Sequence, residues 1–183
     1  MKKPQQTYDL KIPDDDYKIA AVMERDKVNF ESPNIWFYVG ADCKNPGYAK
    51  VGITMGDLRS RSYSSANPNY YLFCAFQCMQ DTTKSQLESI ELNALTYLDG
   101  VFPNHRERHA ESQRLSECYN DIDFEVFFSC LHDYLLDNHP HNFQTASFEN
   151  AVGVEEGYAL AWEFNHRLPL VVQRHFRNLI LRY

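Results

Sequence analysis

With 183 residues, 44% of them hydrophobic and 14% aromatic, the chain is long enough for one ordinary domain and apolar enough to pack a core, which excludes global disorder. A formal charge of −7 excludes a surface-wide nucleic-acid binder and leaves room for one local basic cleft. No apolar run approaches the roughly 18 residues of a membrane span, no apolar stretch follows Met1-Lys2-Lys3 as in a secretory signal, and Cys43, Cys74, Cys78, Cys118 and Cys130 include no CxxC pair, so a cytoplasmic protein with reduced thiols is expected.

Residues 1–33 are polar, broken by Pro4, Pro13 and Pro33, and read as an N-terminal arm. Within it Asp14-Asp15-Asp16 is placed to cap a short helix over 17–23, because carboxylates accept from the free N–H groups of a helix start. Two aromatic and β-branched runs follow, Trp36-Phe37-Tyr38-Val39-Gly40 and Tyr48-Ala49-Lys50-Val51-Gly52-Ile53-Thr54. The turn residues Asn45-Pro46-Gly47 lie between them, and together they predict a hairpin with strands over 34–41 and 48–54. Asp57 stands as the N-cap of a short helix bearing Arg59 and Arg61, which Asn67-Pro68-Asn69 ends. Residues 70–78 are aromatic and uncharged, a third strand that is central or packed on both faces. After Asp81-Thr82-Thr83 a helix is expected to about residue 98, with Leu87, Ile90, Ala94 and Leu98 forming one apolar stripe. Residues 99–120 are polar and mixed, and helical patterns return near 124–136, 155–164 and 170–181. The last of these sets Arg174 and Arg177 on one face and Leu168, Val171, Val172, Phe176, Leu179 and Ile180 on another, an amphipathic closing helix docked on the core.

The order of hairpin, arginine helix, third strand and glutamate helix resembles the GIY-YIG nuclease family over residues 34–120, most closely its branch whose second motif reads Lys-Ile-Gly-Ile-Thr. Trp36-Phe37-Tyr38 corresponds to the first motif and Lys50-Val51-Gly52 to the second, with residues 39–49 between them at near the family spacing. The family arginine falls at Arg61, after Asp57-Leu58, and the helix glutamate at Glu91 in Ile90-Glu91-Leu92-Asn93-Ala94. Trp36 replaces a Gly, and Lys50 replaces a Tyr as it does throughout that branch. Arg106, Arg108 and Glu117-Cys118-Tyr119 loosely resemble an arginine followed by an acidic-aromatic patch in the same branch.

The resemblance implies a metal-dependent endonuclease that hydrolyses DNA phosphodiester bonds. Its site would comprise Tyr38, Lys50, Arg61 and Glu91, with Tyr48 or Tyr63 assisting. Arg61 would offer a planar, permanently charged fork to two phosphate oxygens. Glu91 would hold one Mg²⁺ (or Mn²⁺) ion, a hard cation suited to oxygen ligands. Tyr38 would orient or deprotonate the attacking water; with an ordinary pKa of about 10 a tyrosine is a poor base unless a nearby cation lowers that value, and Lys50 is the expected cation. Arg59, Lys44, Arg106 and Arg108 are the remaining candidates for phosphate contact, and a homodimer would supply a second site, since one small site cuts one strand at a time.

The expected fold is α/β of the α+β kind, with a small, mostly antiparallel three-stranded sheet flanked by helices. It divides into an arm over 1–33, the GIY-YIG-like domain over 34–120 and a helical extension over 121–183 packed on the core. Plainer readings stand beside the chemical ones. Tyr38 also suits strand packing, Arg59 competes with Arg61 and Glu88 with Glu91, and Gly52 allows close backbone approach whatever the function. His105 and His109 are four apart but lack the further ligands of a zinc site. The rival functions are a module that keeps the fold and binds nucleic acid without cutting it, and a protein-interaction domain.

Overall fold

The computed structural model describes residues 35–56, 58, 61, 67–149 and 152–183. The expected arm over 1–33, most of the helix expected from Asp57, Arg59 and Tyr63 lie outside the described residues. The hairpin forms where its two apolar runs and its turn place it. Strand β1 (Trp36–Asp42) pairs antiparallel with β2 (Ala49–Thr54) on one side and with β3 (Tyr70–Gln77) on the other. Asp42 organises the turn, its Oδ1 accepting from the N–H groups of Lys44 at 2.7 Å and Asn45 at 3.0 Å.

The β1–β3 register slips between Val39, opposite Cys74, and Gly40, opposite Leu72, so Phe73 is the extra residue of a bulge. Phe73 meets the rings of Phe124, Phe128, Phe164 and Phe176 at centroid distances of 4.9, 5.7, 5.8 and 4.7 Å. One residue of β3 thereby joins three later elements, among them helix α2 (Phe124–Asn138) and helix α3 (Leu170–Ile180).

Helix α1 (Lys84–Val101) starts at a reciprocal cap. Thr83 Oγ1 accepts from Gln86 N–H at 3.3 Å, and Gln86 Oε1 accepts from Thr83 N–H at 2.8 Å. It buries Leu87, Ile90, Ala94, Leu95 and Leu98, the expected stripe with Leu95 added. Asp123 caps α2 by accepting from Glu125 N–H at 3.0 Å and Val126 N–H at 3.1 Å.

The fold is α+β with a mostly antiparallel sheet, but that sheet has six strands where three were expected. Strands β4 (Arg106–Arg108) and β5 (Leu115–Tyr119) come from the polar stretch and β8 (Trp162–Phe164) closes the far edge, giving the order β4-β5-β2-β1-β3-β8. Segments of three to five residues with exposed charges are too short for their periodicity to register, and at a sheet edge charge is no obstacle. A helical pattern was expected over 155–164, yet the segment holds β7 (Glu155–Leu160), paired with β6 (Thr145–Glu149), and then β8. Gly157 and Ala159 are buried while Tyr158 between them is exposed, and Leu160 at the strand end is buried as well. Tyr158 also exchanges backbone hydrogen bonds with Arg182 at 2.8 and 3.0 Å. Residues 121–183 are thus not a purely helical extension, and β8 belongs to the main sheet.

Fully buried His132 ties these parts together. Its Nε2 accepts from Leu160 N–H at 3.1 Å, and its Nδ1–H donates to Asp133 Oδ1 at 3.0 Å. Arg182 donates to both carboxylate oxygens of Asp137, at 2.5 and 2.9 Å, and lies 3.2 Å from Asp133. Among the described residues no helix is long and apolar enough to cross a membrane.

Phe128 is completely buried and touches the rings of Phe73, Phe76, Phe164 and Phe176. Phe128→Ala is therefore expected to lower stability by about 3–5 kcal/mol, read from the midpoint of chemical denaturation.

Candidate functional site

Alternation along β1 sends Phe37, Val39 and Ala41 into the main core, while Trp36 and Tyr38 form a separate cluster with Leu72, Ala75 and Leu58. Tyr38 is opposite Gly52 of β2, and Gly40 is opposite Lys50. A Cβ at position 52 would lie 2.4 Å from the Tyr38 hydroxyl oxygen, and one at position 40 would lie 2.1 Å from the Tyr70 ring. The two glycines thus leave space that two tyrosine rings occupy, a space any larger residue would close.

Charged groups from separate parts of the chain surround the Tyr38 phenol. Burial pushes its pKa above the ordinary tyrosine value. Arg61 opposes that rise, while Glu91 of α1 and Glu117 and Cys118 of β5 add to it. Glu91 is itself pushed up from 4.5 to about 7, first by burial, then by the neighbouring carboxylates of Glu117 and Glu88, with Lys50 and Arg106 acting in the opposite sense. Lys50 Nζ lies 4.0 Å from Glu117 Oε2 and 5.9 Å from the centroid of the Tyr70 ring. Tyr48 Oη meets Cys118 Sγ at 3.1 Å, and burial followed by this contact raises the Tyr48 pKa. Burial likewise raises Tyr70, with the neighbouring Tyr38 adding to the effect and Arg61 opposing it.

This geometry corrects one expectation. Lys50 was to lower the Tyr38 pKa, but the phenol is raised, and the cation opposing that rise is Arg61. Burial costs the phenolate more than one guanidinium returns, so Tyr38 remains a neutral hydroxyl at pH 7. It can orient a water by hydrogen bonding but is not poised to take its proton.

The other candidates divide clearly. Glu91 of α1 acts on Tyr38, while Glu88 is exposed and lies 3.8 Å from Lys84. Arg106 is engaged inside the protein. Its Nε donates to Ser116 O at 2.5 Å and its Nη1 to Asp99 Oδ2 at 2.9 Å, with Tyr119 Oη on the same carboxylate at 2.8 Å. Its side chain is 14% exposed, so it braces α1 against β4 and β5 and does not present a guanidinium to a phosphate. Arg108 is exposed and donates to Gln113 O at 2.8 Å, and Lys44 is exposed in the β1–β2 turn. Tyr70 carried no motif, and its place over Gly40 is a tertiary contact that no local spacing reveals.

A groove of about 860 Å³ opens elsewhere, bounded by Asp42, Pro46, Phe73, Phe124 and Phe176, and none of Tyr38, Lys50, Arg61 or Glu91 lines it. His105 Nδ1 lies 2.9 Å from Asn120 O, and among the described residues no group of three or more His, Cys, Asp or Glu is arranged to hold a metal ion. No protein-family model, curated protein or solved structure matches the chain.

Gly52→Ala places a methyl against the Tyr38 ring and is expected to cost about 1–3 kcal/mol of stability. In a Tyr38→Ala background most of that cost should vanish, which a thermodynamic cycle of denaturation midpoints would read. Glu91 binds its proton more tightly folded than unfolded, so it contributes stability at low pH that is lost as pH rises from 4.5 through about 7. The permanently neutral Glu91→Gln should accordingly raise the melting temperature at pH 8 and leave it unchanged at pH 4.

Proposed function

We propose that this chain is a metal-dependent endonuclease of the GIY-YIG kind, hydrolysing DNA phosphodiester bonds at the cluster around Tyr38. The observation that carries the reading is the convergence on one buried hydroxyl of Arg61, which follows the hairpin, and of Glu91 from α1, the residues the resemblance assigns to phosphate and to metal. Simple binding of an anion has no use for a half-buried carboxylate beside the arginine, whereas hydrolysis does.

In this reading Arg61 holds the scissile phosphate by two of its oxygens and offsets the charge that develops on them. Tyr38, a neutral phenol, aligns the attacking water by hydrogen bonding, and the wall of Trp36, Leu72 and Ala75 beside it limits its motion. Lys50 adds positive charge to a site on a chain whose formal charge is −7. Glu91 fits the requirement for a cation ligand in charge and donor type, since its carboxyl is crowded by Glu117 and Glu88 and a cation would relieve that repulsion. Mg²⁺ tolerates one protein carboxylate because it keeps several of its own waters, and it would supply Lewis-acid help to the departing 3′ oxygen.

A second reading, a module that binds nucleic acid without cutting, is favoured by the raised pKa of Tyr38, which leaves the phenol neutral and a poor base. Relaxation of supercoiled plasmid separates the two. The nuclease reading expects nicking by the purified protein in Mg²⁺, a loss of about 100-fold or more in Arg61→Ala and a smaller loss in Tyr38→Phe. Retained plasmid binding with no nicking in Mg²⁺ or Mn²⁺ would establish the second reading instead.

A further inference from the structure

Lys50 is held from two sides. The carboxylate of Glu117 lies 4.0 Å from its Nζ, the face of Tyr70 lies 5.9 Å away, and among the described residues it makes no ion pair with Glu91. Yet Glu91 is within electrostatic reach of both Lys50 and Glu117. A lysine has four rotatable bonds, and if Lys50 swung toward Glu91 it would occupy the very group that the nuclease reading reserves for a cation.

We propose that Glu117 is a positioning residue: its carboxylate and the Tyr70 ring hold the Lys50 ammonium away from Glu91 and so keep the Glu91 carboxylate open. The ion pair is not there for stability. Glu117 is 48% exposed and the pair is long, and contacts of this kind contribute little to folding. Their effect is on which way the lysine points. Gly40, the residue opposite Lys50 in the hairpin, completes the arrangement, because a side chain there would displace the Tyr70 ring that forms the second wall.

The consequence for cleavage rests on the nuclease reading, but the placement of Lys50 does not, and the two are tested separately. The ε-methylene protons of Lys50, lying toward the Tyr70 ring, should show an upfield ring-current shift in the NMR spectrum of the full chain. Glu117→Gln should move that resonance toward the free-lysine position, and Glu117→Asp should keep much of it. An unchanged Lys50 resonance in Glu117→Gln, with the remaining spectrum intact, overturns the proposal whether or not the protein cuts DNA. Should the Gln variant lose its fold, Glu117→Ser carries the same expectation at this half-exposed position. In plasmid nicking, Glu117→Gln should lower kcat with little change in KM, and should have no further effect once Lys50 is Met. Additive losses in the double variant would overturn it as well. Absence of nicking by the unaltered protein, with the Lys50 shift behaving as described, would refute the nuclease reading and leave the positioning of Lys50 standing.

Discussion

A central strand covered on both faces must send half of its side chains away from the helical core, and β1 does so with Trp36 and Tyr38. Everything at the candidate site depends on that placement. The second face of β1 could have been a plain apolar patch. Glycine at positions 40 and 52 instead leaves two vacant side-chain positions, into which the rings of Tyr70 and Tyr38 fit. Rigid aromatic rings with few rotatable bonds then present their hydroxyls at a defined point of the sheet, and loops and helices bring charge to that point.

The charge arrangement is uneven in an informative way. Arg61, Glu91 and Glu117 all act on Tyr38, Glu117 and Glu88 press on Glu91, and burial raises the proton affinity of both Tyr38 and Glu91. A purely structural ion-pair network tends to hold each carboxylate ionised against its own cation. Here Lys50 is taken by Glu117 and Arg106 by Asp99, and although both cations oppose the rise in Glu91, burial and the neighbouring carboxylates outweigh them. Perturbed groups of this kind gathered around one hydroxyl are what a site of proton transfer or cation binding uses, and structural ion-pair networks shift pKa values by the same physics.

Much of the architecture was legible in the sequence where the signal was long or chemically distinct. The hairpin announced itself through two β-branched, aromatic runs about a Pro-Gly turn, α1 through its apolar stripe and the threonines before it, and α2 through a run of apolar residues beginning at Phe124. Strands β4 and β8, of three residues each, hold too few side chains for a period, and their edge positions tolerate charge. Strand β7 was masked by glycine and glutamate, and its pairing with Arg182 unites segments far apart in the chain. For the site, the family resemblance named Tyr38, Arg61 and Glu91 as candidates. It could not reveal that Arg106 turns inward to Asp99, that Tyr70 covers Gly40, or that Lys50 faces Glu117. Those are outcomes of packing between elements, and no local pattern encodes them.

The central claim is that one carboxylate on α1 serves a hydrolytic reaction at the Tyr38 cluster. It is tested most directly by incubating supercoiled plasmid with the unaltered protein and with Glu91→Ala, each in Mg²⁺ and in EDTA, while plasmid binding is followed in parallel. The account predicts nicking only by the unaltered protein in Mg²⁺, with both proteins binding the plasmid. Nicking that persists in Glu91→Ala or in EDTA would contradict it.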